Sequence, residues 1–340
     1  MLATVGYYEP WWIAILKSVV IFVIALSLVP VVLVAERKLL GRFQGRYGPN
    51  RVGPFGMLQP LADIIKLATK EQSRPTTSIG FLYVLAPAIS LITAFGAFAI
   101  IPFGDPQDIF GTKVGLYGVD LDIGPLYLFA FGAIAFYGVM LGGWASGSKY
   151  SFLGAMRGAA QLISYEVSQG LALVGVIITA GTLSLTGMVH AQAGMWYIVP
   201  QFVGFLIFLT AGFAETNRAP FDLVEADAEL VGGYNTEYGG ARFATYFFAE
   251  YLNMLVVSGV AVTIFLGGWL LPFGIDPPGW VDPFVVLGKM VLFLIFFVWI
   301  RATLPRLRYD QLMSFGWKIL LPLATLNTLI TAIVVVATDK

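Results

Sequence analysis

Residues 11–34 read WWIAILKSVVIFVIALSLVPVVLV, with Lys17 the only charge among them. A helix that crosses the hydrocarbon of a bilayer needs about 20 mainly apolar residues, so this run is a membrane span. Comparable runs follow at 79–101, 125–145, 159–185, 196–214, 244–271, 284–300 and 316–336. The chain is therefore expected to be an all-α integral membrane protein, a bundle of about eight transmembrane helices forming one membrane domain over 1–340. Composition demands the same. Of the residues, 58% are hydrophobic and 12% charged, where a soluble domain is roughly a quarter charged. Apolar surface in that amount has to face lipid. The first run lacks a basic flank and exceeds the apolar core of a signal peptide, so it reads as a true first span.

Lys and Arg set the orientation. Arg37, Lys38, Arg42, Arg46, Arg51, Lys66, Lys70 and Arg74 follow the first span, and Lys149, Arg157, Arg218, Arg242, Arg301, Arg306, Arg308 and Lys318 follow the third, fifth and seventh. The intervening connections hold Lys113 beside Asp105, Asp108, Asp120, Asp122, Asp276 and Asp282. The expected cytoplasmic loops are thus 35–78, 146–158, 215–243 and 301–315, with both termini on the opposite side of the membrane. Pro102, Gly104, Pro106, Pro277, Pro278 and Gly279 mark tight turns on that side.

Cysteine is absent and His190 is the single histidine. Iron–sulfur clusters, haems and zinc sites draw on those residues, so the chain is expected to hold no metal and no redox centre. It also has no phosphate loop and no dinucleotide fingerprint, and nothing in it points to nucleic acid. If it serves redox chemistry, electrons come from another subunit and no catalytic residue is expected here. His190 reads as an incidental surface residue.

Function should lie where the sequence disobeys the membrane, since a mid-bilayer charge costs roughly 2.5–3.5 kcal/mol on insertion scales. Glu166 lies in the fourth span, Glu215 closes the fifth, and Glu250 lies one turn from Asn253 in the sixth, on the same helical face. Three acids on successive helices suit a proton relay or substrate path better than isolated interhelical bonds. Lys17 and Lys289 sit nearer span ends and are expected to snorkel or pair. Met57, Leu58, Leu61, Ile64, Ile65 and Ala68 recur at helical spacing around Asp63, Lys66 and Lys70. That pattern is an amphipathic helix at the interface, an anchor to lipid or one side of a doorway for a lipid-soluble substrate. The segment after the fifth span carries Glu215, Asp222, Glu225, Asp227, Glu229 and Glu237, an acidic counter-charge for Arg301, Arg306 and Arg308; its embedded Phe221, Leu223, Leu230 and Tyr234 indicate a packed loop.

Four stretches carry a family likeness: AERKLLGRFQGRYGPNRVGPFGMLQPLADIIKL from residue 35, ISYEVSQGL from 163, AETNRAPFDLVEADAEL with VGGYNTEYGG from 214, and RATLPRLRYDQLM with GWK from 301. In order and separation they resemble the quinone-site membrane subunit, the H-type subunit or subunit 1, of proton-translocating NADH–quinone oxidoreductase, respiratory complex I. The resemblance implies a quinone cavity lined or braced by Glu36, Arg37, Lys38, Arg46, Phe221, Arg301 and Arg306. The loop acids Glu225, Asp227 and Glu229 would connect that cavity to the spans. A proton relay through Glu166, Glu215 and Glu250, with Glu237 and Asp63, follows from the same likeness. Asp227 stands where the family more often has Glu, which keeps the charge on a shorter reach. Quinone, ubiquinone by resemblance, would be the substrate. NADH, FMN and iron–sulfur clusters would belong to partner subunits: the peripheral-arm quinone-site and iron–sulfur subunits, adjacent small membrane subunits, and antiporter-like subunits. Two other readings share the buried acids: the membrane component of a hydrogenase-type energy-converting complex, and a stand-alone proton-coupled transporter. A transporter would show paired broken helices at the midplane, whereas the charges here gather on one side.

Overall fold

The computed structural model describes residues 10–109, 112–224, 227–272 and 277–338. Twelve α-helices run in chain order among the described residues: α1 Trp11–Phe43, α2 Gln59–Thr69, α3 Gly80–Phe98, α4 Gly124–Ala145, α5 Lys149–Ala180, α6 Leu185–Ala191, α7 Phe202–Glu215, α8 Asp227–Leu230, α9 Gly240–Phe265, α10 Asp282–Thr303, α11 Tyr309–Phe315 and α12 Leu321–Thr338. A π-helical stretch, Gly316–Leu320, joins α11 to α12. Seven runs are long and apolar enough to cross a membrane: α1, α3, α4, α5, α9, α10 and the continuous Tyr309–Thr338. The eighth apolar run begins in turns and becomes helical only over the 14 residues of α7. At 1.5 Å per residue α7 is about 21 Å long, short of the roughly 30 Å of a hydrocarbon core.

Several boundaries differ from the hydropathy reading. The helix begun at Trp11 does not stop at Val34 but runs on to Phe43. At about 50 Å it carries Glu36, Arg37 and Lys38 on a helical turn beyond the apolar run rather than in a loop. Likewise α5 starts at Lys149, so most of the expected loop 146–158 is helix. Hydropathy ends where polar residues begin, whereas helices continue as long as their backbone bonds are made. Gln107–Ile109 and Thr112–Val114 pair as two short antiparallel strands, too short to leave a periodicity.

The bundle is built around α9. In its most apolar window 78% of residues are buried, against no more than 44% in any other span. It packs on α3, α10, α2, α6, α1 and α7. α4 presents glycines one turn apart to both neighbours: a Cβ at Gly138 would fall 2.1 Å from Ser90 Oγ of α3, and one at Gly142 2.2 Å from the Tyr246 hydroxyl of α9. Small residues at such crossings let backbones pack where lipid offers no hydrophobic drive. Tyr238 and Tyr246 use the gaps, donating to the carbonyls of Gly142 and Gly138. α12 is peripheral; its polar face meets the bundle through Thr328 to the Leu171 carbonyl and Asn327 to Gln201.

Candidate functional site

Because α1 continues past its apolar run, Glu36 is carried into the bundle, where it is 2% exposed. Arg301, in the last turn of α10, donates to Glu36 Oε1. Arg218, in the turn after α7, reaches the same oxygen at 3.5 Å through Nη1, and its Nε lies 2.8 Å from Glu250 Oε1 on α9. The guanidinium also sits 4.3 Å from the centre of the Tyr251 ring. Two carboxylates and two guanidiniums thus neutralise one another inside the protein. Burial opposes the charge on Arg218, but Glu250, Tyr251 and Glu36 outweigh it and hold the guanidinium protonated more firmly than usual.

The turn that places Arg218 is itself held from α5. Gln161 spends its side-chain amide on the carbonyls of Ala214 and Phe221, both at 2.8 Å. Phe221 then packs on Tyr165 at 5.6 Å between ring centroids. It is part of the loop's footing, beside the residue that precedes Glu166.

Glu166 on α5 and Glu215 at the end of α7 converge on the bare backbone of α4. A Cβ at Gly132 would lie 3.6 Å from Glu215 Oε1 and 3.8 Å from Glu166 Oε1. From Glu215 a cavity of about 80 Å³ leads past Thr93, Asn217, Tyr246 and Asn253 to Glu250. That is room for several waters, and the lining offers them polar partners. Glu215 and Glu250 are therefore two walls of one space, and Glu250 belongs to both the ion cluster and the cavity.

A second, mostly apolar recess of about 190 Å³ opens between α1, α2 and α9, with Val29, Leu33, Phe243 and Phe247 as walls and Arg37 and Asp63 at its polar edge. Arg37 Nη1 donates to Asp63 Oδ2 at 2.6 Å, and Gln59 to Asp63 Oδ1 at 3.1 Å. Partial burial raises the pKa of Asp63, but the hydrogen bonds from Arg37 and Gln59 outweigh it and hold the carboxyl below its ordinary value. The amphipathic helix expected near Met57–Ala68 is α2, with Leu61, Ile64 and Ile65 exposed on its apolar side.

Other expected positions fall elsewhere. Arg46 is exposed, bonds to Gln44 and shares a separate recess with Arg37 and Tyr47. Among the described residues, Arg301 turns to Glu36, Arg306 donates to the backbone carbonyl of Asp222 in the acidic loop, and Arg308 folds onto Asp310 two residues on. Glu229 pairs with Arg157 of α5 at 2.7 Å on an exposed surface. Glu237 contributes its carbonyl to the Tyr83 hydroxyl, beside a stacked Tyr83–Tyr238 pair. Glu225 lies outside the described residues, as does the side chain of Asp227. His190 lies exposed at the surface, as expected, whereas Lys289 departs from its expectation. Lys289 does not snorkel; it is 9% exposed and bonds to backbone. His190 is within 3.3 Å of Asp105 and edge-on to Trp269. Sequence reasoning missed Arg218 as a site residue, reading it as loop charge. The available signal was its place two residues before Pro220 and three after a membrane acid. No group of metal-ligating residues occurs among the described residues.

Comparison with known proteins bears on this arrangement. The family model described as NADH dehydrogenase matches residues 16–332. The chain is 52% identical over 316 residues to the NADH-quinone oxidoreductase H 1 subunit of Geobacter metallireducens, covering 93% of this chain and 94% of that one. It is 53% identical over 316 residues to the H 2 subunit of Geobacter sulfurreducens, with the same coverage. The H-type subunit of Frankia alni is 49% identical over 331 residues, 95% of this chain and 73% of the relative. With the match spanning nearly every span and both ends of the buried ion cluster, this multi-pass membrane chain belongs to the NADH dehydrogenase family, the family of the H-type subunits of NADH-quinone oxidoreductase.

Proposed function

We propose that the chain forms part of the quinone cavity of a proton-pumping NADH–quinone oxidoreductase in the bacterial inner membrane and transmits the energy of quinone reduction to proton translocation. The observation that carries the reading is the continuity from the Glu36–Arg218–Glu250–Arg301 cluster, through the cavity, to Glu215 and Glu166. A quinone, ubiquinone by resemblance, enters from the lipid along the apolar recess between α1, α2 and α9, whose phenylalanines suit an isoprenoid tail. Its head group, reduced by an iron–sulfur cluster of a peripheral-arm subunit, acquires negative charge near the cytoplasmic ends of α1 and α10. NADH and FMN stay with partner subunits. A negative charge arriving there competes with Glu36 for Arg301 and Arg218. Arg218 loosened from Glu250 leaves that carboxylate without its counter-ion and favours proton uptake through the cavity. Glu215 and Glu166 then pass the change toward adjacent membrane subunits.

The test is Glu215→Gln and Glu250→Gln in the intact complex, measuring assembly, NADH–quinone reduction and protons moved per NADH. Assembled complexes with most proton translocation lost are expected. An unchanged proton-to-NADH ratio in both variants would remove the relay. Purification of the tagged chain in mild detergent adds a separate check: inhibitor-sensitive NADH–quinone reduction, flavin and iron–sulfur centres should co-purify. A hydrogenase-type set of partners without quinone reduction, or a chain that emerges alone, would overturn the functional reading while leaving the fold.

A further inference from the structure

Away from the acids, one cation is held with no carboxylate within ion-pair distance among the described residues. Lys289, in the second turn of α10, donates to the carbonyls of Leu266, Gly268 and Leu270 at 2.7, 2.7 and 2.6 Å. Its Nζ lies 4.5 Å from the Trp196 ring. An ammonium has three N–H donors, so these bonds saturate it. The ring face closes the remaining side.

The bowl is built rather than incidental. Gly267 and Gly268 both have positive φ, +67° and +53°, a conformation that side-chain-bearing residues rarely adopt, and it brings alternate carbonyls of the turn to one point. A Cβ on Gly267 would lie 2.7 Å from Trp196. The turn is also fixed from outside: Gly267 N donates to Gln192 Oε1 at 2.9 Å, and Gln192 Nε2 donates to the Thr263 carbonyl at 2.9 Å. Converging neutral carbonyls that replace a hydration shell are how proteins hold a monovalent cation in a membrane.

We propose that the turn closing α9 is a monovalent-cation site whose resident ligand is the chain's own Lys289 ammonium, and that this site pins α9 to α10. It stands independently of the quinone reading. The pin is remote from the buried ion cluster: along α9 it lies about 24 Å from Glu250, and along α10 Lys289 is about 18 Å from Arg301. The two helices that carry the cluster are thus fixed at the opposite end, so relative movement is confined to the end holding Glu250 and Arg301. Neutral ligands make the pin insensitive to carboxylate protonation nearby.

Lys289→Ala in the intact complex tests it by chemical rescue. The thermal midpoint of the variant complex is expected to fall and to be restored by methylammonium or K⁺, but not by tetramethylammonium, which has no N–H and is too large for the bowl. An unchanged midpoint, or no selective restoration, overturns the site. If the variant does not assemble, amine methylation of the native complex decides. Lys289 should stay unmodified until denaturation while exposed Lys113 reacts; equal modification of the two overturns the proposal.

Discussion

Arg218 is the residue on which the buried cluster turns. Its guanidinium faces Glu36 and Glu250 together, while Glu36 has a second cation in Arg301. Removing one partner of a buried ion pair typically costs about 3–5 kcal/mol, because the other charge is left uncompensated. Arg218→Leu should therefore destabilise the fold by about that much and lower the yield of assembled complex, read by native gel and thermal melt. Arg218→Lys keeps the charge but loses the forked geometry that serves two carboxylates at once. It should assemble better than the leucine variant yet recover little quinone-linked proton transfer. If Arg218→Leu assembles with an unchanged melt, the cluster does not hold the loop after α7.

At the scale of elements, α2 and α1 are joined by the Arg37–Asp63 ion pair. Asp63 has a native pKa held below its ordinary value by Arg37 and Gln59, against the opposing effect of partial burial. A carboxyl shifted downward contributes stability that is fully present above its unfolded value, about 3.9, and is lost as pH falls through the lower native value. Docking of α2 on α1 should be flat with pH from neutrality down to about pH 4 and weaken below it, as read by hydrogen exchange of α2. Asp63→Asn should remove that acid-side change and raise α2 exchange at neutral pH. A wild-type protein whose α2 protection titrates near neutrality would contradict this account. The ends of α1 and α5 show why this level was only partly legible. Residues 35–43 and 149–158 carry charges that look like loop on a hydropathy scale, but here they continue helices that bury Glu36, Gly41, Ser151, Gly154 and Ala155.

For the whole molecule, α7 decides the topology. Seven long runs and one helix of 14 residues leave the number of crossings resting on that shorter piece, preceded by the turns at 197–201. If it completes a crossing, the chain passes the membrane eight times and both termini share one side. From the Lys and Arg distribution that side is expected to be the periplasmic one. Single cysteines introduced near residue 10 and near residue 338 should both react with a membrane-impermeant maleimide from the periplasm and not from the cytoplasm. Opposite sidedness of the two would mean that α7 does not cross.

Composition and the spacing of apolar runs determined the all-α membrane fold, because a bilayer imposes one requirement, about 20 apolar residues per span, that can be read locally. The amphipathic α2 was legible for the same reason: its period is carried by its own residues. The acids Glu166, Glu215 and Glu250 stood out because charge is costly in apolar surroundings wherever the helices pack. Tertiary structure alone decided their partners. Glu36 and Arg301 lie at opposite ends of the chain, Arg218 looked like ordinary loop charge, Gly132 became informative only when two carboxylates faced it, and the Lys289 bowl depends on a turn from α9 meeting a side chain from α10. These are long-range juxtapositions set by helix packing, and no local period or residue type records them.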